Sequence, residues 1–177
     1  MNIYNQDKTK LVNSVFSKVY KNYDLMNDLM SLGVHRLWKK NLINWMKPQS
    51  GNRIIDVAAG TGDLAKMISK KNNNKNIFCC VEPNKGMFET GKQKLKSLAN
   101  IKWFLNSAEN LPFKENSFDF YTISYGIRNV TDINQCLKEA HRVLKPGGRF
   151  FCLEFSKVEN EILNSLYQKY SKLIPLI

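Results

Sequence analysis

Between Asp56 and Asp63 the chain reads Asp-Val-Ala-Ala-Gly-Thr-Gly-Asp. The glycines at 60 and 62 let a backbone turn tightly and approach a ligand with no Cβ in the way. Glu82 closes the next apolar run, where a carboxylate can accept two hydrogen bonds from a ribose diol. Gly60-Thr61-Gly62-Asp63-Leu64-Ala65 also satisfies the G-x-G-x-x-G/A dinucleotide fingerprint, so the turn by itself leaves NAD and S-adenosylmethionine both open. Two features favour S-adenosylmethionine. Asp56 stands just before the turn, where its carboxylate can order the loop or act through water on the cofactor's ammonium. Asn106-Ser107-Ala108-Glu109-Asn110-Leu111-Pro112-Phe113, after a third apolar run, is placed to line an adenine.

These residues need a scaffold that brings strand ends together. Short apolar runs at Arg53–Ala58, Ile77–Val81, Ile101–Leu105, Phe118–Ser124 and Arg149–Phe155 read as strands. Helical spacing marks 11–23, His35–Met46, a stretch carrying Leu64, Met67 and Ile68, Gly86–Leu98, a stretch from Ile133 to Leu144, and Val158–Leu173. Pro146-Gly147-Gly148 is expected to stop the fifth of these helices. Alternating strands and helices imply an α/β fold with a doubly wound, mainly parallel sheet covered on both faces. Ligands of such sheets bind beyond the carboxyl ends of the strands, at the switch point. Residues 1–50 form a helical cap in this reading, and residues 51–177 form the core of a single domain.

The chain has 177 residues, enough to bury a real core. Net charge is +12, from 27 basic and 15 acidic residues. Residues 1–50 hold eight Lys/Arg and three Asp/Glu, hence +5. A basic surface can face nucleic acid or an anionic membrane, but a bias toward Lys and Asn also explains it. No run approaches the length of a membrane-spanning helix, and the polar start does not resemble a secretory signal. Cys79, Cys80, Cys136 and Cys152 form no CxxC pair and no zinc spacing with His35 or His141, so buried thiols in a reducing compartment are expected. No metal is expected.

Three longer stretches stand out: Tyr23-Asp24-Leu25-Met26-Asn27, continuing through Ser31 to His35 and Trp38; Ser124-Tyr125-Gly126-Ile127-Arg128-Asn129-Val130-Thr131-Asp132; and Arg142-Val143-Leu144-Lys145-Pro146-Gly147-Gly148, continuing to Glu154-Phe155-Ser156. Through them the chain resembles the class I S-adenosylmethionine-dependent methyltransferases, and more narrowly the C-methyltransferases of ubiquinone and menaquinone biosynthesis. The resemblance implies cofactor contacts at Thr61, Glu82, Ser107, Ala108 and Ser124, beside Asp56, Gly60 and Gly62. Three positions depart from the pattern. Ala58 stands where Gly is frequent, Glu82 where Asp is commoner, and Ser107 where Asn or Asp is usual. Such proteins also continue into two further strands, so the chain is expected to lack them and to expose a sheet edge.

The implied reaction moves a methyl group to a ring carbon of a polyprenylated hydroquinone, demethylmenaquinol or 2-polyprenyl-6-methoxy-1,4-benzoquinol. Arg128 is the candidate to stabilise a phenolate, Asn129 to orient an oxygen and His35 to act as base. Tyr23 and Asp24 are candidate substrate contacts. The protein is expected in the cytoplasm, peripheral at the inner membrane face, or in the mitochondrial matrix of a eukaryote. A homo-oligomer or a quinone-biosynthesis complex is a candidate assembly. A truncated, inactive cofactor-binding homologue and an NAD-dependent reductase are the competing readings. Nucleic-acid methylation has only the charge behind it, with no Asn/Asp-Pro-Pro-aromatic motif and no RNA-binding module.

Overall fold

The computed structural model describes residues 28, 31, 33–71 and 75–156. The helices expected over 11–23 and 158–173 lie outside the described residues, as do Tyr23 and Asp24. Along the described chain run α1 (Val34–Met46), β1 (Arg53–Val57), α2 (Asp63–Lys71), β2 (Ile77–Val81), α3 (Lys85–Lys94) and β3 (Ile101–Phe104). Then come β4 (Phe118–Ser124), a 3-10 turn (Ile127–Asn129), α4 (Ile133–Val143) and β5 (Leu144–Leu153).

The five strands form one parallel sheet in the order β3-β2-β1-β4-β5. Chain order runs outward from β1 to β3 and then jumps back to β4 on the other side, so a crevice opens where the order reverses, between β1 and β4. Successive strand residues face opposite sides, and the buried residues sort accordingly. Ile54, Phe78, Cys80 and Phe120 pack with Leu42, Ile43 and Met46 of α1 and Leu64, Ala65 and Ile68 of α2. Ile55, Val57, Cys79, Val81, Tyr121 and Ile123 pack with Cys136, Ala140 and Val143 of α4. Both faces are therefore covered, as near-continuous apolar strands require.

Arg149 of β5 fixes α1 to the sheet. One guanidinium nitrogen donates to the Met46 carbonyl at 2.6 Å, at the end of α1 where carbonyls lack helical partners. The same group lies over the rings of Phe120 at 4.8 Å and Phe151 at 5.5 Å.

Two expectations need correction. The last strand begins at Leu144, not Arg149, and ends at Leu153. Leu144 pairs opposite Phe118, then Arg149 opposite Phe120, so Lys145–Gly148 loop out of the ladder rather than preceding it. Pro146 has no N–H to give the ladder, and Gly147 turns with φ 77°. Lys145 bridges to Asp119 at 2.7 Å across the bulge. Cys79, Cys80 and Cys136 are buried, but Cys152 is exposed. It lies on β5, at the sheet margin, beyond the cover that the described helices give the inner strands.

Candidate functional site

The turn after β1 leads into α2 through a left-handed backbone. Ala58 has φ 53°, Gly60 φ 58° and Gly62 φ 81°. Gly62 is also tightly packed, since a Cβ there would meet Leu95 Cδ1 at 2.7 Å and Trp103 Cζ2 at 2.9 Å. Ala58, in place of the commoner Gly, holds a conformation that costs an L-residue about 1 kcal/mol. Its methyl occupies the space a side chain at Gly126 would need, for a Cβ there would come within 2.5 Å of Ala58 Cβ.

Glu82 is only 4% exposed at the end of β2. Its two carboxylate oxygens accept from Gly60 N–H at 2.8 Å and from Asn84 N–H at 2.9 Å. It thus joins the β1 turn to the start of α3, where Asn84 Oδ1 caps the helix by accepting from Met87 N–H. Burial pushes the Glu82 carboxyl up to about 7, against the two amide N–H groups that favour its charged form.

Asp56 and Thr122 face each other in the β1–β4 ladder, and Thr122 Oγ1 donates to Asp56 Oδ1 at 2.7 Å. Burial pushes Asp56 up to about 6, with Thr122 and then Lys39 pulling the other way. Ser124, which ends β4, has a buried hydroxyl oxygen with no hydrogen-bond partner among the described residues. Tyr125 follows with φ 58°, a backbone conformation that a bulky residue rarely adopts and that clusters at functional sites. Lys39, Asp56, Ala58, Ala59, Gly60, Leu64, Ser124 and Tyr125 line one cavity of about 30 Å³. That volume holds about one water-sized group.

The segment after β3 is held by carboxylates. Glu109 accepts from Thr131 N–H at 2.7 Å and Asp132 N–H at 3.2 Å. Glu139 of α4 accepts from Leu111 N–H at 2.7 Å and pairs with Arg142, which donates to the carbonyls of Phe113 and Leu111. Half-buried Ser107 and buried Ala108 are thereby fixed beyond β3. Buried Thr61 accepts from Lys94 at 3.4 Å.

The structure therefore brings Asp56, Gly60 and Ser124 to one cavity, with Glu82 bonded to its Gly60 wall. It does not bring His35 and Arg128 into that lining. His35 is buried on α1 one turn before Lys39, its Nδ1 2.7 Å from Ser31 Oγ and its Nε2 3.6 Å from Asp28. Burial pushes its pKa down, and the Lys39 charge adds to this. Arg128 lies at the rim, 3.2 Å from Glu154 and 5.1 Å above the Phe155 ring, which leans on Tyr125 and meets Trp38 edge-on. Asn129 ends the 3-10 turn, its N–H donating to the Gly126 carbonyl. Lys39 and Glu139 were missed in the sequence. The signal was their phase: each shares its helix's buried face, Lys39 with Leu42, Ile43 and Met46, Glu139 with Cys136, Ala140 and Val143.

The donor set suits a nucleoside carrying an amino-acid group. A clamped carboxylate ends β2, an orphaned hydroxyl ends β4, and a glycine turn packed too tightly for any side chain at 62 lies between them. The model of the ubiE/COQ5 methyltransferase family matches residues 3–177. The chain is 51% identical over 178 positions to the ubiquinone/menaquinone biosynthesis C-methyltransferase of Rickettsia bellii, covering 97% of this chain and 71% of that one. It is 43% identical over 210 positions to the mitochondrial 2-methoxy-6-polyprenyl-1,4-benzoquinol methylase of Bos taurus, covering 97% of this chain and 63% of that one. Among solved structures, a SAM-dependent methyltransferase from Aquifex aeolicus aligns with a TM-score of 0.64 at 19% identity, over 70% of this chain and 66% of its own. The YcgJ protein of Bacillus subtilis aligns at 0.63 and 26% identity, over 76% and 57%. The Aquifex likeness speaks for the fold, and the family model and the curated relatives for descent: this chain belongs to the ubiE/COQ5 methyltransferase family.

Proposed function

We propose that the chain binds S-adenosylmethionine across the carboxyl ends of β1 to β4 and methylates a ring carbon of a polyprenylated hydroquinone. Glu82 carries this reading. A carboxylate buried at the end of β2 and oriented by two backbone N–H groups keeps further lone pairs for a ribose diol. Ser107 and Ala108 flank the adenine in this proposal, with Thr61 and the Gly60–Gly62 backbone on the nucleoside. Ser124 Oγ gives its unused hydrogen bond, and Asp56 faces the ammonium. The acceptor is taken from the relatives, one named for a 2-methoxy-6-polyprenyl-1,4-benzoquinol and the other for ubiquinone and menaquinone biosynthesis.

When bound, the cofactor supplies an electrophilic methyl on a sulfonium. The chain then has to position the ring and manage protons. Arg128 places a fixed cation beside a phenolic oxygen, which favours the phenolate and enriches the neighbouring ring carbon. Glu154 and Phe155 hold that guanidinium in place. Asn129 orients the oxygen; a substrate role for Tyr23 and Asp24 rests on the sequence resemblance alone, both lying outside the described residues. His35, which burial keeps neutral, is the proposed base, its ring nitrogens facing Ser31 and Asp28. The prenyl tail stays in lipid while α1 rests on the surface. Leu37, Trp38 and Trp45 are exposed on its outside among Arg36 and Lys40, and no helix among the described residues is long and apolar enough to span a bilayer.

The test offers the purified chain S-adenosylmethionine with reduced, short-tailed demethylmenaquinol or 2-polyprenyl-6-methoxy-1,4-benzoquinol, and follows methylated product by mass spectrometry. Methylation of either supports the proposal. Calorimetry with S-adenosylhomocysteine, the demethylated cofactor, accompanies it. Glu82→Ala removes up to two charge-assisted hydrogen bonds worth about 1.5–3 kcal/mol each, so affinity should fall at least ~10-fold. Cofactor binding without transfer to either quinol would make the chain an inactive binder. Absence of cofactor binding would overturn the reading altogether.

A further inference from the structure

We propose that Lys39 anchors the carboxylate of the cofactor's amino-acid end. The inference rests on the cofactor reading above and adds a binding residue that the sequence motifs do not contain. Lys39 is 8% exposed, on the buried face of α1 with His35, Leu42, Ile43 and Met46. Lysine is almost never buried so far unless its charge is paired. Its ammonium carries three donors. Among the described residues, its one ion-pair partner is Asp63 at 3.6 Å, longer than a good hydrogen bond and able to occupy at most one of the three donors. The other oxygen of Asp63 is committed to Lys94 at 2.9 Å. Asp56, which shares the cavity wall with Lys39, already accepts from Thr122. The ammonium therefore sits in a cavity wall with donors to spare.

The rest of that wall indicates what fills them. Asp56 and Lys39 put opposite charges on one small cavity, beside the orphaned Ser124 hydroxyl and the Gly60 backbone. A zwitterionic amino acid at the mouth of this cavity matches its polarity, its ammonium toward Asp56 and its carboxylate toward Lys39. Nucleosides lacking the amino-acid group leave the Lys39 donors unfilled. Lys39 is then a gauge of the whole amino-acid group, which separates the cofactor from its fragments.

Calorimetry on the full chain with two ligands tests this. S-adenosylhomocysteine carries the amino acid; 5′-methylthioadenosine keeps the adenosine and thioether but lacks it. The parent should bind S-adenosylhomocysteine at least ~10-fold tighter, the scale of one charge-assisted hydrogen bond. Lys39→Met should erase most of that preference while holding 5′-methylthioadenosine within about twofold, which also shows the variant is folded. Lys39→Arg should restore much of the preference. Equal affinity of the parent for both ligands would overturn the anchor with no variant needed. Equal weakening of both ligands by Lys39→Met would assign the lysine to packing and overturn it too. If the parent binds neither ligand, the cofactor reading falls first and the anchor with it.

Discussion

Glu82 joins the site's two chemical demands, binding and folding, with opposite pH signs. In the proposed complex a ribose diol donates to the charged carboxylate, whereas burial favours the neutral acid and raises the group to about 7. Between pH 8 and pH 6 the charged fraction falls to about a tenth, so S-adenosylhomocysteine should bind about 10-fold more weakly at pH 6. Stability of the unliganded chain runs the other way. The folded pKa lies above the unfolded value of 4.5. The contribution is therefore full below about pH 4.5 and is lost as pH rises through about 7. Glu82→Gln should bind weakly and flatten both profiles, read by calorimetry and by thermal melts from pH 5 to 8. A pH-independent affinity in the parent would move the ribose away from Glu82. Asp56, raised to about 6 by burial, makes a smaller contribution of the same sign to stability.

At the scale of elements, the loop after β3 depends on α4. Glu139 and Arg142 tie Leu111 and Phe113 to the last turns of that helix, although neither residue is among the proposed ligand contacts. Glu139→Ala should cost about 2–3 kcal/mol in denaturant unfolding, through the lost Leu111 bond and the stranded Arg142. It should also weaken S-adenosylhomocysteine several-fold by loosening Ser107 and Ala108. Lost stability with unchanged affinity would show that the loop keeps its place without the clamp. The strands were largely legible, because buried parallel strands are short apolar runs bounded by breakers. β1, β2, β3 and β4 each fall within a residue of their expected limits. β5 misled because Pro146-Gly147-Gly148 reads as a terminator, while in three dimensions it is a bulge with pairing on both sides. Of the candidate site, the left-handed glycine turn and a carboxylate closing β2 were legible because each is a local feature. Lys39 was not, because its place beside Asp56 comes from the packing of α1 on the sheet, which no local motif encodes. The left-handed backbone at Tyr125 was equally hidden, since nothing in the residue type favours it.

For the whole molecule, the proposed reading has a charge of +12 and the exposed apolar side chains of α1 act together at a membrane. Trp45 is 74% exposed, an amphipathic ring suited to the lipid headgroup level. Each nearby Lys or Arg adds up to about 1 kcal/mol against an anionic surface, screened by salt. The full chain should co-sediment with anionic vesicles more than with neutral ones, and less at high salt. Trp45→Ser should cut that binding several-fold and barely change the melting temperature. Binding indifferent to lipid charge and to Trp45 would send the quinol to the site by another surface. The strand order has a consequence of its own for how the protein is made. β1 pairs with β2 within a short stretch of chain, but its other side waits for β4, with Arg53 N–H reaching Asp119 some 66 positions on. At about 5–20 residues per second, ribosomal synthesis leaves that edge open for roughly 3–13 s. Asp56 and the glycine turn are therefore translated well before Ser124, and the nascent chain carries half of the proposed binding site until β4 emerges to complete it.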